Sequence, residues 1–252
     1  MEHDEVKTQA RALINELISY PFSQTFDILP IEQKLKSLYQ QAPNAIEPLI
    51  GLMFVNIMLG NRDTALGLNN KIWSIGGNLS PFFELLYSDC LLNLGEVEKA
   101  GILLADRLDN IGENLQHFYM VMVKYALLSG QLALLQKIGG FPEIYQTEPE
   151  LFRFADNHAL NLSVKDYRAV LKIVTDNIGS KLCAWEYNMY AGDGIELIFY
   201  TTDDLQQNEA LKEPLFEKLD GYFLSMQQPP IEDLFLEFTN IKWHPAWKKT
   251  AG

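Results

Sequence analysis

Apolar positions recur at helical spacing through most of the first 180 residues and change to alternation afterwards. Residues 46–59, 81–94 and 116–129 are three mostly apolar segments of helical length, and each runs into a glycine: Gly60, Gly95 and Gly130. These glycines are 35 positions apart both times, and a second helical segment follows each. Such self-similarity predicts stacked units of helix, glycine turn, helix. Glycine suits the turn because the chain leaves the first helix through a left-handed backbone conformation that penalises any Cβ. Ala65 and Ala100, five residues after Gly60 and Gly95, leave room for the second helix to approach the first.

The same pattern extends both ways. Residues 5–19 form a helical pattern ended by Pro21, and residues 30–41 form another, linked to the array by Gln41, Ala42, Pro43, Asn44 and Ala45. A fourth unit is expected one period beyond the third, where Glu148-Pro149-Glu150 opens one helix and residues 163–170 another. Near residue 181 the texture changes. Two aromatic and β-branched runs, residues 184–190 and 195–202, flank Asp193-Gly194, which predicts a hairpin because glycine supplies the positive φ of a tight turn. A helix follows over residues 205–225, with Leu211, Leu215, Leu219 and Phe223 every fourth position, and residues 234–241 form a third strand or a short final helix, the strand being favoured. The fold class expected is mainly α: a helical repeat array over residues 1–180, with a small α+β cap over residues 181–252 that closes the open end of the array.

At Gly60 with Ala65 and Gly95 with Ala100 the chain resembles the tetratricopeptide-type helical repeat, whose units of about 34 residues carry glycine and alanine at this spacing in the inter-helix turn. Gly130 is followed by Leu135 instead, only Ser88 supplies the small residue the family prefers midway along the first helix, and Pro142 interrupts the third unit. The resemblance implies an α-solenoid that binds protein segments on a concave face lined by successive first helices. Phe54, Met58, Asp89, Asn93, His117, Met120 and Lys124 are the candidate partner-binding residues there. Some members of the family grip a peptide's terminal carboxylate with several Lys, Arg and Asn side chains. Here only Lys124 and Asn93 suit that task, so a basic or amphipathic segment is the more natural ligand.

Composition narrows the function classes. The 252 residues are 48% hydrophobic and 21% charged, enough for a substantial core. Twenty basic side chains against 33 acidic ones give a net charge of −13, which opposes binding to nucleic acid or an anionic membrane surface. Residues 1–180 carry 14 basic and 21 acidic side chains, and residues 181–252 carry 6 and 12, so acidity is densest in the cap. Asp203, Asp204, Glu209 and Glu213 are therefore candidates for a surface that meets a basic protein. The terminal stretch from Lys242 to Lys249, with Trp243 and Trp247, runs against that charge and is a candidate for recognition or for packing on the acidic cap. Two cysteines, Cys90 and Cys183, are too few for a disulfide framework, and there is no signal-peptide pattern or run of about 18 apolar residues. A cytoplasmic protein is expected.

Chemistry is sparse. His3, His117, His158 and His244 show no metal-ligand spacing, and phosphate-loop, dinucleotide and nucleophile-elbow motifs are missing from the sequence, so neither metal nor cofactor is expected. The expected function is non-catalytic binding of a protein partner, as adaptor, chaperone or inhibitor. An immunity or antitoxin protein acting through the acidic surface is the narrower form. An enzyme using a pocket between array and cap, with His117 or His158 as its imidazole, is the alternative class.

Overall fold

The computed structural model describes residues 3–19, 28–158, 164–190, 194–226 and 234–241. Its elements run α1 (His3–Ser19), α2 (Leu29–Gln41), α3 (Glu47–Met58), α4 (Arg62–Ile75), α5 (Pro81–Asn93), α6 (Val97–Asp109), α7 (Ile111–Ser129), α8 (Leu132–Gly139), α9 (Pro142–Tyr145), α10 (Pro149–His158) and α11 (Val164–Ile178). Then come β1 (Leu182–Tyr190), β2 (Gly194–Thr201), α12 (Leu205–Met226) and β3 (Leu234–Asn240). The protein is mainly α with a small α+β cap, as the periodicity implies. No helix among the described residues is long and apolar enough to cross a membrane.

The helices follow from residue spacing. In α1, Val6, Ala10 and Ile14 lie four apart and are fully buried, leaving a polar outer side. α3 is apolar almost all round because it is enclosed: it packs on α1, α2, α4 and α5. A Cβ on Gly51 would stand 3.0 Å from Leu35 Cδ2 and 3.1 Å from Ile14 Cδ1, so this glycine sets how closely the first two helices approach α3. α1, α3, α5 and α7 form a row in which each packs on the next, and α4, α6 and α8 pack on the helices they follow.

The three glycine turns repeat in atomic detail. Gly60, Gly95 and Gly130 have φ of 71°, 77° and 67°. In each turn the glycine N–H donates to the carbonyl three residues back, and the next N–H donates to the carbonyl five residues back: Asn61 to Asn56, Glu96 to Leu91, Gln131 to Ala126. This is the hydrogen-bond pattern of a Schellman cap, and only a residue comfortable at positive φ completes it. Ala65 and Ala100 are fully buried beneath the first two turns. The architecture is compatible with a helical repeat through α8.

Beyond α8 the regularity ends. Pro142 opens a four-residue α9 and holds Phe141 extended at φ −92° and ψ 113°, which separates α9 from α8. The two helices expected near residues 148 and 163 are present, but α10 packs on α8 and on β1 and β2, while α11 takes its main packing from α12. The cap is a three-stranded sheet of order β1-β2-β3. β1 and β2 are antiparallel, from Tyr190 opposite Gly194 to Leu182 opposite Thr201, with an irregularity between Leu182 and Ala184. The Asp193 turn predicted between them lies outside the described residues. β3 is the favoured third strand. It runs parallel to β2 because α12 carries the chain back across the sheet.

The position of the cap differs from the expected closure of the array's last unit. Its sheet sits against the first two glycine turns. A Cβ on Gly60 would lie 3.3 Å from Ile241 and 3.6 Å from Thr202, and Arg62, opening α4, donates to the carbonyls of Leu94 and Leu182. Turn backbone presents carbonyl groups that need partners, and the start of β1 lies where Arg62 can join them.

Candidate functional site

Three of the polar residues proposed for the concave face, Asp89, Asn93 and Lys124, do meet, and they hold the cap. Asp89 and Asn93 lie one turn apart on α5, and Asn93 Nδ2 donates to Asp89 Oδ2 at 3.0 Å. Lys124 of α7 donates to Asp89 Oδ1 at 2.9 Å. Asn93 Oδ1 accepts the backbone N–H of Trp185 at 3.5 Å, and the Trp185 indole N–H donates to Leu92 O at 3.2 Å. Lys124 Nζ stands 5.8 Å from the Trp185 ring centroid. Trp185 is fully buried. Asp89, Asn93 and Lys124 thus form a polar socket for the first half of β1. Phe54 and Met58 are half-buried against the core, whereas His117 is exposed and Met120 is 52% exposed.

Where β1 leaves this socket a groove of about 370 Å³ opens between it and α7. Met120 and Lys124 line one wall, and Glu148, Glu186, Tyr187, Asn188 and Met189 line the rest. Strand alternation divides the sheet into two faces. Tyr187 and Met189 share a face with Trp185, Leu197 and Phe199, and the Tyr187 hydroxyl donates to Glu148 Oε2 at 2.9 Å. Burial, reinforced by Glu148, raises the pKa of that phenol far above its ordinary value, so it stays a neutral donor.

The opposite face carries Glu186, Asn188, Glu196, Tyr200, Phe235 and Glu237. Tyr200 OH donates to Glu186 at 3.2 Å and Asn188 Nδ2 to Glu196 at 3.2 Å. Desolvation, followed by a hydrogen bond and repulsion from Glu196, raises the pKa of Glu237. These face residues were missed by reasoning from charge density, although the alternation of Trp185, Tyr187 and Met189 with Glu186 and Asn188 was available in the sequence.

The proposed acidic surface divides. Asp203 is buried and pairs with Lys181 at 2.6 Å, so it does not belong to an exposed patch. Its place beside the start of α12 brings it under the strand ends. Asp204 accepts the Gln207 N–H at 2.8 Å while Gln207 accepts the Asp204 N–H at 3.1 Å, a reciprocal cap of α12. Glu209 pairs with Lys212, and Asp204, Glu209 and Glu213 are exposed.

A second cavity of about 310 Å³ lies between the row and the cap, with Leu128, Leu182, Trp185 and Phe199 inside and Arg168 and Lys172 on its rim. Arg168 Nε donates to the Ser129 carbonyl at the end of α7. His117 lines neither cavity. The side chains of His3 and His158, the whole of His244 and the stretch from Lys242 to Lys249 lie outside the described residues. Burial pushes the Cys90 thiol well above its ordinary pKa and the Cys183 thiol up to about 11, Arg62 pulling the latter partly back. Neither is a thiolate nucleophile near neutral pH. Among the described residues no group of His, Cys, Asp and Glu side chains has the arrangement of a metal site. No protein-family model matches this chain, and neither do curated proteins or solved structures.

Proposed function

We propose that this chain is a non-catalytic protein-interaction module: a tetratricopeptide-like helical array whose cap and α7 together hold a segment of a protein partner, as an adaptor, chaperone or inhibitor does. The observation that carries this reading is the groove beside Met120, where an exposed apolar side chain on the row of helices faces the outer edge of a sheet. The recurring glycine turns support the family likeness, since they share φ, hydrogen bonds and spacing. Two buried free thiols are compatible with the cytoplasmic setting that belongs to this reading.

The test is site-specific photo-crosslinking in the native cell from positions 120 and 188, followed by reconstitution with the purified partner. Crosslinks from both positions to one protein, with Met120→Glu weakening the reconstituted complex by about tenfold or more, support the reading. Crosslinks only from α12 positions 209 and 213 transfer binding to the exposed acids. No stoichiometric partner, together with turnover lost on filling the Arg168 cavity, overturns the reading in favour of an enzyme.

A further inference from the structure

We infer that the groove receives its partner as an added β-strand, and that the strand alternates basic and apolar side chains. This rests on the proposed function and specifies the partner's chemistry. Among the described residues β1 is an edge strand, with β2 as its neighbour on one side. The Trp185 N–H reaches Asn93, so it points away from β2. Backbone direction alternates along a strand, which sends the N–H and C=O of Tyr187 and Met189 outward as well. Among the described residues no backbone hydrogen bond joins Tyr187 or Met189 to an element other than β2. These groups open onto the 370 Å³ groove instead of onto a packed helix. An edge of this kind is a template for strand addition unless it is covered.

The two sides of the edge fix the pattern of the added strand. Alternate side chains on one side come beside Tyr187, Met189 and Met120, where flexible thioethers accommodate apolar groups of varied shape. The intervening side chains come beside Glu186, with Glu196 behind it. Lys124 lines the opposite wall, where Asp89 pairs with it at 2.9 Å. Lysine or arginine is therefore matched on that side, and an acidic strand is opposed.

The probe is a capped hexapeptide of alternating lysine and valine, compared with one of alternating glutamate and valine, titrated into the full chain. The lysine peptide should bind at least about tenfold more tightly and should slow hydrogen exchange at the amides of Tyr187 and Met189. Met189→Pro removes an outward N–H that the sheet does not use, so the fold persists by circular dichroism while affinity falls at least about tenfold; Met189→Ala, which keeps the N–H, falls less. Equal binding of the two peptides, or tight binding without slowed exchange at these amides, overturns the inference, and the exchange measurement needs no variant to fold. A partner that crosslinks at position 120 and binds Met189→Pro as well as wild type also overturns strand addition, while leaving the interaction module standing. Loss of any partner at the groove removes the functional reading itself.

Discussion

Arg62 joins the row of helices to the cap through one guanidinium. Its Nη1 donates to Leu182 O at 2.8 Å and its Nη2 to Leu94 O at 2.7 Å. Leu94 and Leu182 are 1% and 3% exposed, so water is a poor substitute partner on their side. Leu94 also ends α5, where the unsatisfied carbonyls carry partial negative charge. Burial lowers the arginine pKa, but a guanidinium remains charged throughout the ordinary pH range. Replacing it by methionine retains much of the stem's packing and removes both donors.

A hydrogen bond from a charged group is worth about 1.5–3 kcal/mol, and two are lost in Arg62→Met. Arg62 is itself half-exposed, so water recovers part of the loss and about 3 kcal/mol is expected. For a chain of this size that lowers Tm by about 6–12 °C. Arg62→Lys keeps the charge but lacks the fork needed to reach both carbonyls, and recovers about half the loss. Urea unfolding followed by far-ultraviolet circular dichroism measures both variants. Hydrogen exchange adds location: faster exchange should concentrate at the Gly95 turn and the start of β1. A cost below about 1 kcal/mol for methionine, or a lysine variant equal to wild type, would refute the two-carbonyl staple.

Other substitutions test the remaining structure. Gly60→Ala and Gly95→Ala each force alanine to positive φ, at about 1–2 kcal/mol, and Gly60→Ala should cost more because its Cβ meets Ile241 at 3.3 Å whereas the nearest atom to Gly95 is at 3.8 Å; equal unfolding midpoints would contradict the cap's position on the first turn. Asp203→Lys should cost about 3 kcal/mol by setting a cation against Lys181 in a buried place, while Glu213→Lys stays within about 0.5 kcal/mol. Comparable urea midpoints for the two would restore Asp203 to the surface. Glu237 has a folded pKa raised by desolvation and by Glu196, so the folded state holds its proton more tightly than the unfolded chain. The resulting stabilisation is complete below the ordinary glutamate value and disappears as pH rises through the raised one. Glu237→Gln should flatten that part of the stability profile and match or exceed wild type at pH 7; an unchanged slope assigns the titration elsewhere.

Local signals account for the parts of the fold that the sequence made legible. Gly60, Gly95 and Gly130 carry their turn in their own φ, and the surrounding apolar runs have the length and spacing of helices. Alternation in residues 184–190 and 195–202 was enough for a hairpin. Docking was less accessible because it depends on pairs such as Arg62 with Leu182 and Asn93 with Trp185, about a hundred positions apart, one partner of each pair being a backbone group that leaves no mark in the residue pattern. The parallel pairing of β3 likewise follows from the path of α12 and not from residues 234–240 themselves.

The concave-face candidates show how such docking redirects a functional signal. A surface that binds an extended segment and a surface that seats the chain's own first strand require the same chemistry: a few polar groups set among apolar ones, aimed at backbone. Asp89, Asn93 and Lys124 meet that description, and β1 is the strand they receive. Their network therefore stops where Trp185 turns inward. Beyond that point α7 continues with Met120 and His117 exposed, and β1 continues with its outward backbone groups at Tyr187 and Met189. The chain's own strand takes the polar half of the surface, and in doing so it carries a fresh edge to the apolar half. In the proposed strand addition β1 itself would direct a partner strand to the helix face, and the cap would then be part of the binding surface and not merely its closure.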